Sequence, residues 1–145
     1  MRRLTIAVGI ALFMAVLVGC GKNTGRPKLY PVSGKVLVNG AAAEGARVVF
    51  YPTSDEMRKP GMPLPTGETD ASGVYRLYSY EPGDGAPLGE YQVTISMPEP
   101  VPPNVSREEF HPKDRFAGKY VDPATSKLTA KVEKGGGEIP PIQLQ

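Results

Sequence analysis

Alternation of apolar and polar positions divides the chain into three stretches. An uncharged apolar run from Leu4 to Val18 comes first, then a polar stretch from Gly21 to Lys28, then short alternating segments from Tyr30 onward. Period-two alternation marks strands that bury one face. Tyr30 to Val38 is the first such segment, with Val32, Gly34, Val36 and Val38 on one face and Ser33, Lys35 and Leu37 on the other. Asn39-Gly40 then forms a two-residue hairpin signal. In Ala46 to Tyr51, the residues Ala46, Val48 and Phe50 face the core and Arg47, Val49 and Tyr51 face away, and Pro52 ends the strand. Thr66 to Thr69 and Val74 to Tyr80 flank the turn Asp70-Ala71-Ser72-Gly73, where Asp70 caps and Gly73 takes the positive φ that closes it. The clearest alternation is Gly89 to Met97, with Tyr91, Val93, Ile95 and Met97 inward and Glu90, Gln92, Thr94 and Ser96 outward. Leu128 to Val132 is a sixth strand, and Ile139 to Leu144 a seventh that Pro140 and Pro141 make an edge or a partly paired one.

Between the strands, residues 53–65, 81–87 and 98–117 are rich in proline, glycine and charge and read as loops. One helical turn is expected at Ser106 to Phe110, with Ser106 and Glu109 as a capping box. Seven short strands with no long helical pattern predict an all-β, seven-stranded β-sandwich, with a barrel as the alternative.

Composition changes the picture at the amino terminus. The chain has 145 residues and a formal charge of +2, but Arg2 and Arg3 precede the apolar run and no acid lies within it. Of 17 basic residues, 15 remain beyond position 19, against 15 acidic ones. The body is therefore neutral, which argues against nucleic acid as a partner. A positive start followed by an apolar run shorter than a bilayer span, which takes about 20 residues, reads as a signal peptide for export by the general route. The run ends in Leu17-Val18-Gly19-Cys20, which resembles the lipobox of bacterial lipoproteins. That resemblance implies removal of residues 1–19, a thioether from Cys20 to diacylglycerol, and acylation of the new amine with a fatty acid such as palmitate. Each buried methylene contributes about 0.8 kcal/mol, so two or three chains hold a protein at a membrane where one does so only marginally. Residues 20–29 then form the lipidated cysteine and a tether, and residues 30–145 the sandwich. With Cys20 the only cysteine, no disulfide can form within the chain, and the fold must rest on its core.

Several segments together resemble the carboxypeptidase regulatory-like, or transthyretin-like, domains. They are Val32-Ser33-Gly34-Lys35-Val36 with Gly40, Gly45-Ala46-Arg47-Val48-Val49-Phe50, Thr69 to Tyr75, and Pro87 to Val93. In that family a G-x-V strand is followed by G-A-x-V, then T-D-x-x-G-x-Y/F, then G-x-Y-x-V. Lys119 to Thr129 is similar to the tail of small bacterial lipoproteins built on this domain. The resemblance covers residues 31 to 97 and implies an Ig-like/prealbumin-like β-sandwich without catalysis of its own, serving as an accessory or adhesion-type module.

The inventory for chemistry is thin. His111 is the only histidine, so no histidine pair can hold a metal, and a Ser-His-Asp set would have to form around a proline-rich loop. Transthyretin-related hydrolases end in Tyr-Arg-Gly-Ser, whereas this sequence ends Ile142-Gln143-Leu144-Gln145. Asp70 and Ser72 with Asp84 or Asp55 offer oxygens for calcium, but no Asp-x-Asp-x-Asp-Gly loop is present, and a turn cap explains Asp70 more simply. An isopeptide crosslink needs an asparagine in the last strand, and residues 138–145 contain none. No metal, cofactor or catalytic residue is expected. Tyr51, Tyr75, Tyr78 and Tyr80 suggest an aromatic stripe, of which Tyr51, Tyr78 and Tyr80 are the candidate ligand-binding residues. Taken together, the sequence predicts an exported lipoprotein, anchored through Cys20 on the periplasmic or outer face of a bacterial membrane. Its domain would have a structural or protein-interaction role. The alternative is a carbohydrate- or small-ligand-binding envelope lipoprotein, so the expected partners are the membrane and an envelope protein or glycan.

Overall fold

Valines at 32, 36 and 38, with Gly34 between them on the same face, favour the extended form and give Val32–Val38 one apolar face. That strand organises one of two larger sheets, beside a two-stranded pairing of Leu29–Tyr30 with Ala86–Pro87. The computed structural model describes residues 25–106 and 108–145. It contains β1 (Leu29–Tyr30), β2 (Val32–Val38), β3 (Ala41–Ala42), β4 (Arg47–Pro52), β5 (Thr66–Glu68), β6 (Val74–Arg76), β7 (Ala86–Pro87), β8 (Gly89–Ser96), β9 (Leu128–Val132), β10 (Gly137–Glu138) and β11 (Ile142–Leu144). The strands of three or more residues (β2, β4, β5, β6, β8, β9 and β11) correspond to the seven the sequence predicts. The others are two-residue pairings along their flanks.

In the first sheet β2 is antiparallel to β3 and β6, and parallel to β10 and β11. The β2–β3 hairpin turns at Asn39 (φ 50°) and Gly40 (φ 81°), the two positive φ values of a type I′ turn. The second sheet runs β5-β4-β8-β9 with every pair antiparallel. The chain is an all-β sandwich. Its core is filled from one side by Val32, Val36, Tyr75, Ile142 and Leu144, and from the other by Val48, Phe50, Tyr91, Val93, Ile95 and Val132. Phe50 sits between Tyr75 and Tyr91, with ring centroids 6.4 Å and 5.4 Å away.

The turn at Asp70 differs from a simple hairpin. β5 pairs with β4, and β6 pairs with β2, so the turn carries the chain from one sheet to the other. Asp70 Oδ1 accepts from the Ser72 N–H (2.8 Å), the Ser72 hydroxyl (2.6 Å) and the Val74 N–H (3.1 Å), and Gly73 has φ 77°. Just before it, buried Thr69 accepts through Oγ1 from the Ala46 N–H at 2.8 Å and donates to the Ala43 carbonyl. Thr69 thereby ties the entry of β4 to the inter-sheet turn.

Two predicted strands are shorter than expected, each for a visible reason. The fourth stops at Arg76 because the chain then leaves β2. The Leu77 N–H makes the last bond to it, at the Val32 carbonyl, and Tyr78 bridges to Thr66 in the other sheet. Asp84 then captures the N–H groups of Ser79 (2.7 Å), Tyr80 (3.0 Å) and Glu81 (2.9 Å). The seventh begins at Ile142 because Pro140 and Pro141 have no N–H to donate. The single turn expected after Ser106 is present, without the expected capping box. In it the Glu109 and Phe110 N–H groups reach the Ser106 carbonyl, and the Ser106 hydroxyl accepts from Glu108, not from Glu109. Residues 98–119 are held by Asp114, whose carboxylate accepts from the N–H groups of Met97 (2.7 Å), Phe116 (3.0 Å) and Gly118 (2.9 Å). The Tyr120 carbonyl then accepts from the Ile95 N–H, so this segment lies along β8 beyond the end of β9.

Candidate functional site

The register of the second sheet arranges its outer face. Arg47 is opposite Ser96, Val49 opposite Thr94, and Tyr51 opposite Gln92, while on the other side of β4 Val49 is opposite Thr66. Directly opposed side chains share a face, so these residues form three rows across β5, β4 and β8. Two segments rise beside the rows. Leu64 and Arg58 come from the connection between β4 and β5, and Val121, Pro123 and Ala124 from the segment before β9. They enclose two adjoining clefts, of about 500 Å³ and 450 Å³, that share Tyr51 and Leu64. Neither cleft is lined by an acidic residue.

Arg58 is fixed in the second cleft. It ends the single 3-10 turn Asp55–Met57, and its Nε–H donates to the Pro52 carbonyl at 2.6 Å. The 122–125 turn holds the opposite wall, with Asp122 Oδ1 accepting from the Ala124 N–H at 2.8 Å and the Asp122 carbonyl accepting from the Thr125 N–H at 3.1 Å.

A second feature is the open side of the sandwich. Among the described residues β9 pairs only with β8, and β11 only with β2. Between these two edges lies a cleft of about 650 Å³ lined by Leu128, Ala130, Ile139 and Ile142, with Pro140 and Pro141 at its rim.

The three candidate tyrosines are not brought together. Tyr51 lines both outer-face clefts, and neither Tyr78 nor Tyr80 lines either one. Tyr78 is exposed beside the Thr66 bridge, and Tyr80 carries the Arg26 guanidinium 4.3 Å above its ring. Tyr75, part of the stripe expected from sequence, is instead fully buried against Phe50. Cys20 and the preceding Leu17, Val18 and Gly19 lie outside the described residues. His111 is exposed in the 98–119 segment. The Asp70 and Asp84 oxygens are taken up by backbone donors, and among the described residues no three histidine, cysteine or acidic side chains gather where they could hold an ion. Sequence reasoning missed Arg58 and Gln92. The outward parity of Gln92 was readable, but its register against Tyr51 was not, and nothing in residues 53–65 singles out Arg58.

Electrostatics separates the turn carboxylates from the buried phenols. Ser72 and the Val74 N–H hold Asp70 below the usual carboxylate range. Partial burial works to raise Asp84, but the three backbone N–H groups outweigh it and bring the group below its ordinary value. Burial pushes Tyr91 up to about 12, and its hydroxyl donates to the Pro87 carbonyl at 2.7 Å. Burial also pushes Tyr75 well above the ordinary phenol value.

No family model matches the chain, and no curated protein matches it. Among solved structures, the 9R-lipoxygenase from Cyanothece PCC8801 is 15% identical over 81% of this chain, with a TM-score of 0.41. The chain spans only 16% of that protein's length. The major plantain pollen allergen Pla l 1 is 20% identical over 79% of this chain and 90% of its own, with a TM-score of 0.39. Likeness at that level says nothing about activity or ligand.

Proposed function

We propose that this chain is an exported lipoprotein of the bacterial cell envelope, held at a membrane through Cys20, whose β-sandwich acts without catalysis as a contact module for another protein. Support for the anchor comes from the order of residues alone: Arg2 and Arg3, an uncharged run, then Leu17-Val18-Gly19-Cys20. Among the described residues no helix is long and apolar enough to cross a membrane.

The observation that carries the contact role is the open side. β9 and β11 belong to different sheets, each has one edge unpaired among the described residues, and the cleft between them is lined by Leu128, Ala130, Ile139 and Ile142. An extended segment of a partner adds to such an edge by main-chain hydrogen bonds and sets alternate side chains into the cleft. Lys131 on β9 and the Pro140-Pro141 pair oppose indiscriminate edge-to-edge pairing between copies.

Labelling with a palmitate analogue, followed by fractionation, tests the anchor. The parent chain is expected in the membrane fraction and labelled, and Cys20→Ser in the soluble fraction and unlabelled; a Cys20→Ser chain that stays labelled at the membrane refutes it. A photo-crosslinking amino acid at Thr129 tests the contact. It is expected to give one defined adduct that the same group at exposed Glu44 does not, and equal yields from both positions rule out the edge.

A further inference from the structure

We infer that the cleft formed by Tyr51, Gln92 and Arg58 on the outer face of the second sheet is a binding site for an acidic sugar, one carrying a carboxylate on its ring. This face is distinct from the open edge proposed as the protein contact, and either site can stand without the other.

The argument starts from register. Tyr51 on β4 and Gln92 on β8 are directly opposed, so a phenol ring and a primary amide lie side by side on one face. Leu64, Pro123 and Ala124 wall the ring in, giving a cleft of about 450 Å³, within the usual range of small-ligand sites of about 300–1,000 Å³. An aromatic face is electron-rich and accepts the polarised C–H bonds on one face of a sugar ring. The amide of Gln92 offers both a donor and an acceptor, which suits neighbouring sugar hydroxyls.

Arg58 selects the charge. Its Nε–H is spent on the Pro52 carbonyl, which fixes the plane of the guanidinium and leaves the two terminal nitrogens for another group. A planar guanidinium held in this way pairs with a carboxylate by two parallel hydrogen bonds. Asp55 and Glu56 occupy the adjoining 3-10 turn but do not line the cleft, so its lining carries positive charge alone. In the neighbouring cleft Ser96 adds a half-buried hydroxyl along the strand direction. Thr94 is 5% exposed and the Thr66 hydroxyl donates to the Leu64 carbonyl, so a second sugar unit meets the Ser96 hydroxyl. Arg47 at the far end is opposite Glu68 on β5, so the strongest carboxylate preference falls at the Arg58 end.

Titration calorimetry with trigalacturonate, its methyl ester, maltotriose and poly-glutamate tests this on the full chain. Trigalacturonate is expected to bind at least about tenfold more tightly than the other three, since a charge-assisted pair is roughly twice as strong as a neutral one. Arg58→Gln changes an exposed loop residue and is expected to remove that preference, bringing trigalacturonate down to the affinity of its methyl ester. Tyr51→Ala is expected to abolish binding of both sugars, and Tyr51→Phe to retain it. Equal binding of the acid and its ester, poly-glutamate binding as tightly as the sugar, or an unchanged affinity in Arg58→Gln each overturns the assignment. Absence of any trigalacturonate binding at millimolar concentration does so as well.

Discussion

Tyr75 on β6 lies over Gly34 on β2, its direct register partner, so closely that a Cβ at position 34 would stand 2.6 Å from the phenol Cζ. The missing side chain at 34 is therefore what admits one of the two fully buried tyrosines of the core. Gly34→Ala is expected to lower unfolding stability by about 1–3 kcal/mol, the usual cost of forcing an extra methyl into a packed core. Urea denaturation checks this, and a Gly34→Ala chain as stable as the parent would show that the ring can move aside.

The Tyr75 hydroxyl is buried and has no hydrogen-bond partner among the described residues. A polar group in that position costs about 1–3 kcal/mol of desolvation. Tyr75→Phe keeps the ring and its edge contact with Phe50 while removing the cost. It is expected to raise stability by about 1 kcal/mol in the same denaturation experiment.

Thr69→Val keeps the shape of a buried side chain and removes its hydroxyl. The Ala46 N–H then loses that partner, as does the Ala43 carbonyl. A loss of about 2 kcal/mol is expected. Faster amide exchange at Ala46, with exchange at Ile95 unchanged relative to global unfolding, would locate the damage at the inter-sheet turn.

Asp84 is lowered from 3.8 in the folded chain. The unfolded chain therefore takes up the proton first as the solution is acidified, and the stability contributed by the ionised carboxylate is lost as pH falls below about 4. Asp70 is shifted the same way and adds to the same window. The unfolding midpoint is expected to be level from pH 8 to 5 and to fall below 4. In Asp84→Asn that fall is shallower, and identical profiles for parent and variant would exclude the carboxylate.

Asp114→Ala removes the acceptor for three backbone N–H groups and is expected to release residues 98–119 from β8. Limited proteolysis between Pro98 and Lys113 should speed up several-fold, while the amides of Val93 and Phe50 stay protected. Unchanged cleavage would show that the backbone bonds from the Arg115 N–H to the Met97 carbonyl and from the Glu99 N–H to the Lys113 carbonyl hold the segment without the carboxylate.

How much of this was legible depended on whether a feature is local. The inward and outward sets of Gly89 to Met97 follow from parity along one strand, and Tyr91, Val93, Ile95 and Met97 are all buried as expected. Parity also spoke for Tyr75. Leu77 points inward, so Tyr75 shares its face, while Tyr78 and Tyr80 have the opposite parity; grouping the tyrosines by type concealed this. The turn at Asp70 was readable because its donors lie within four residues, but not the fact that its two strands enter different sheets. The opposition of Tyr51 and Gln92, the reach of Asp114 to Met97 and the burial of Thr69 all depend on register between distant segments. No local pattern encodes those.

The parallel pairing of β11 with β2 matches Val36 with Ile142, about a hundred residues apart. The first sheet cannot close until β11 has been synthesised, whereas β4 and β8 can associate well before that. Contacts so distant in sequence slow folding. A growing or threading chain of this design therefore stays pliable until Ile142 to Leu144 have emerged, and a stop codon before Ile142 would leave a nascent product with one sheet unfinished and its apolar interior bare to water.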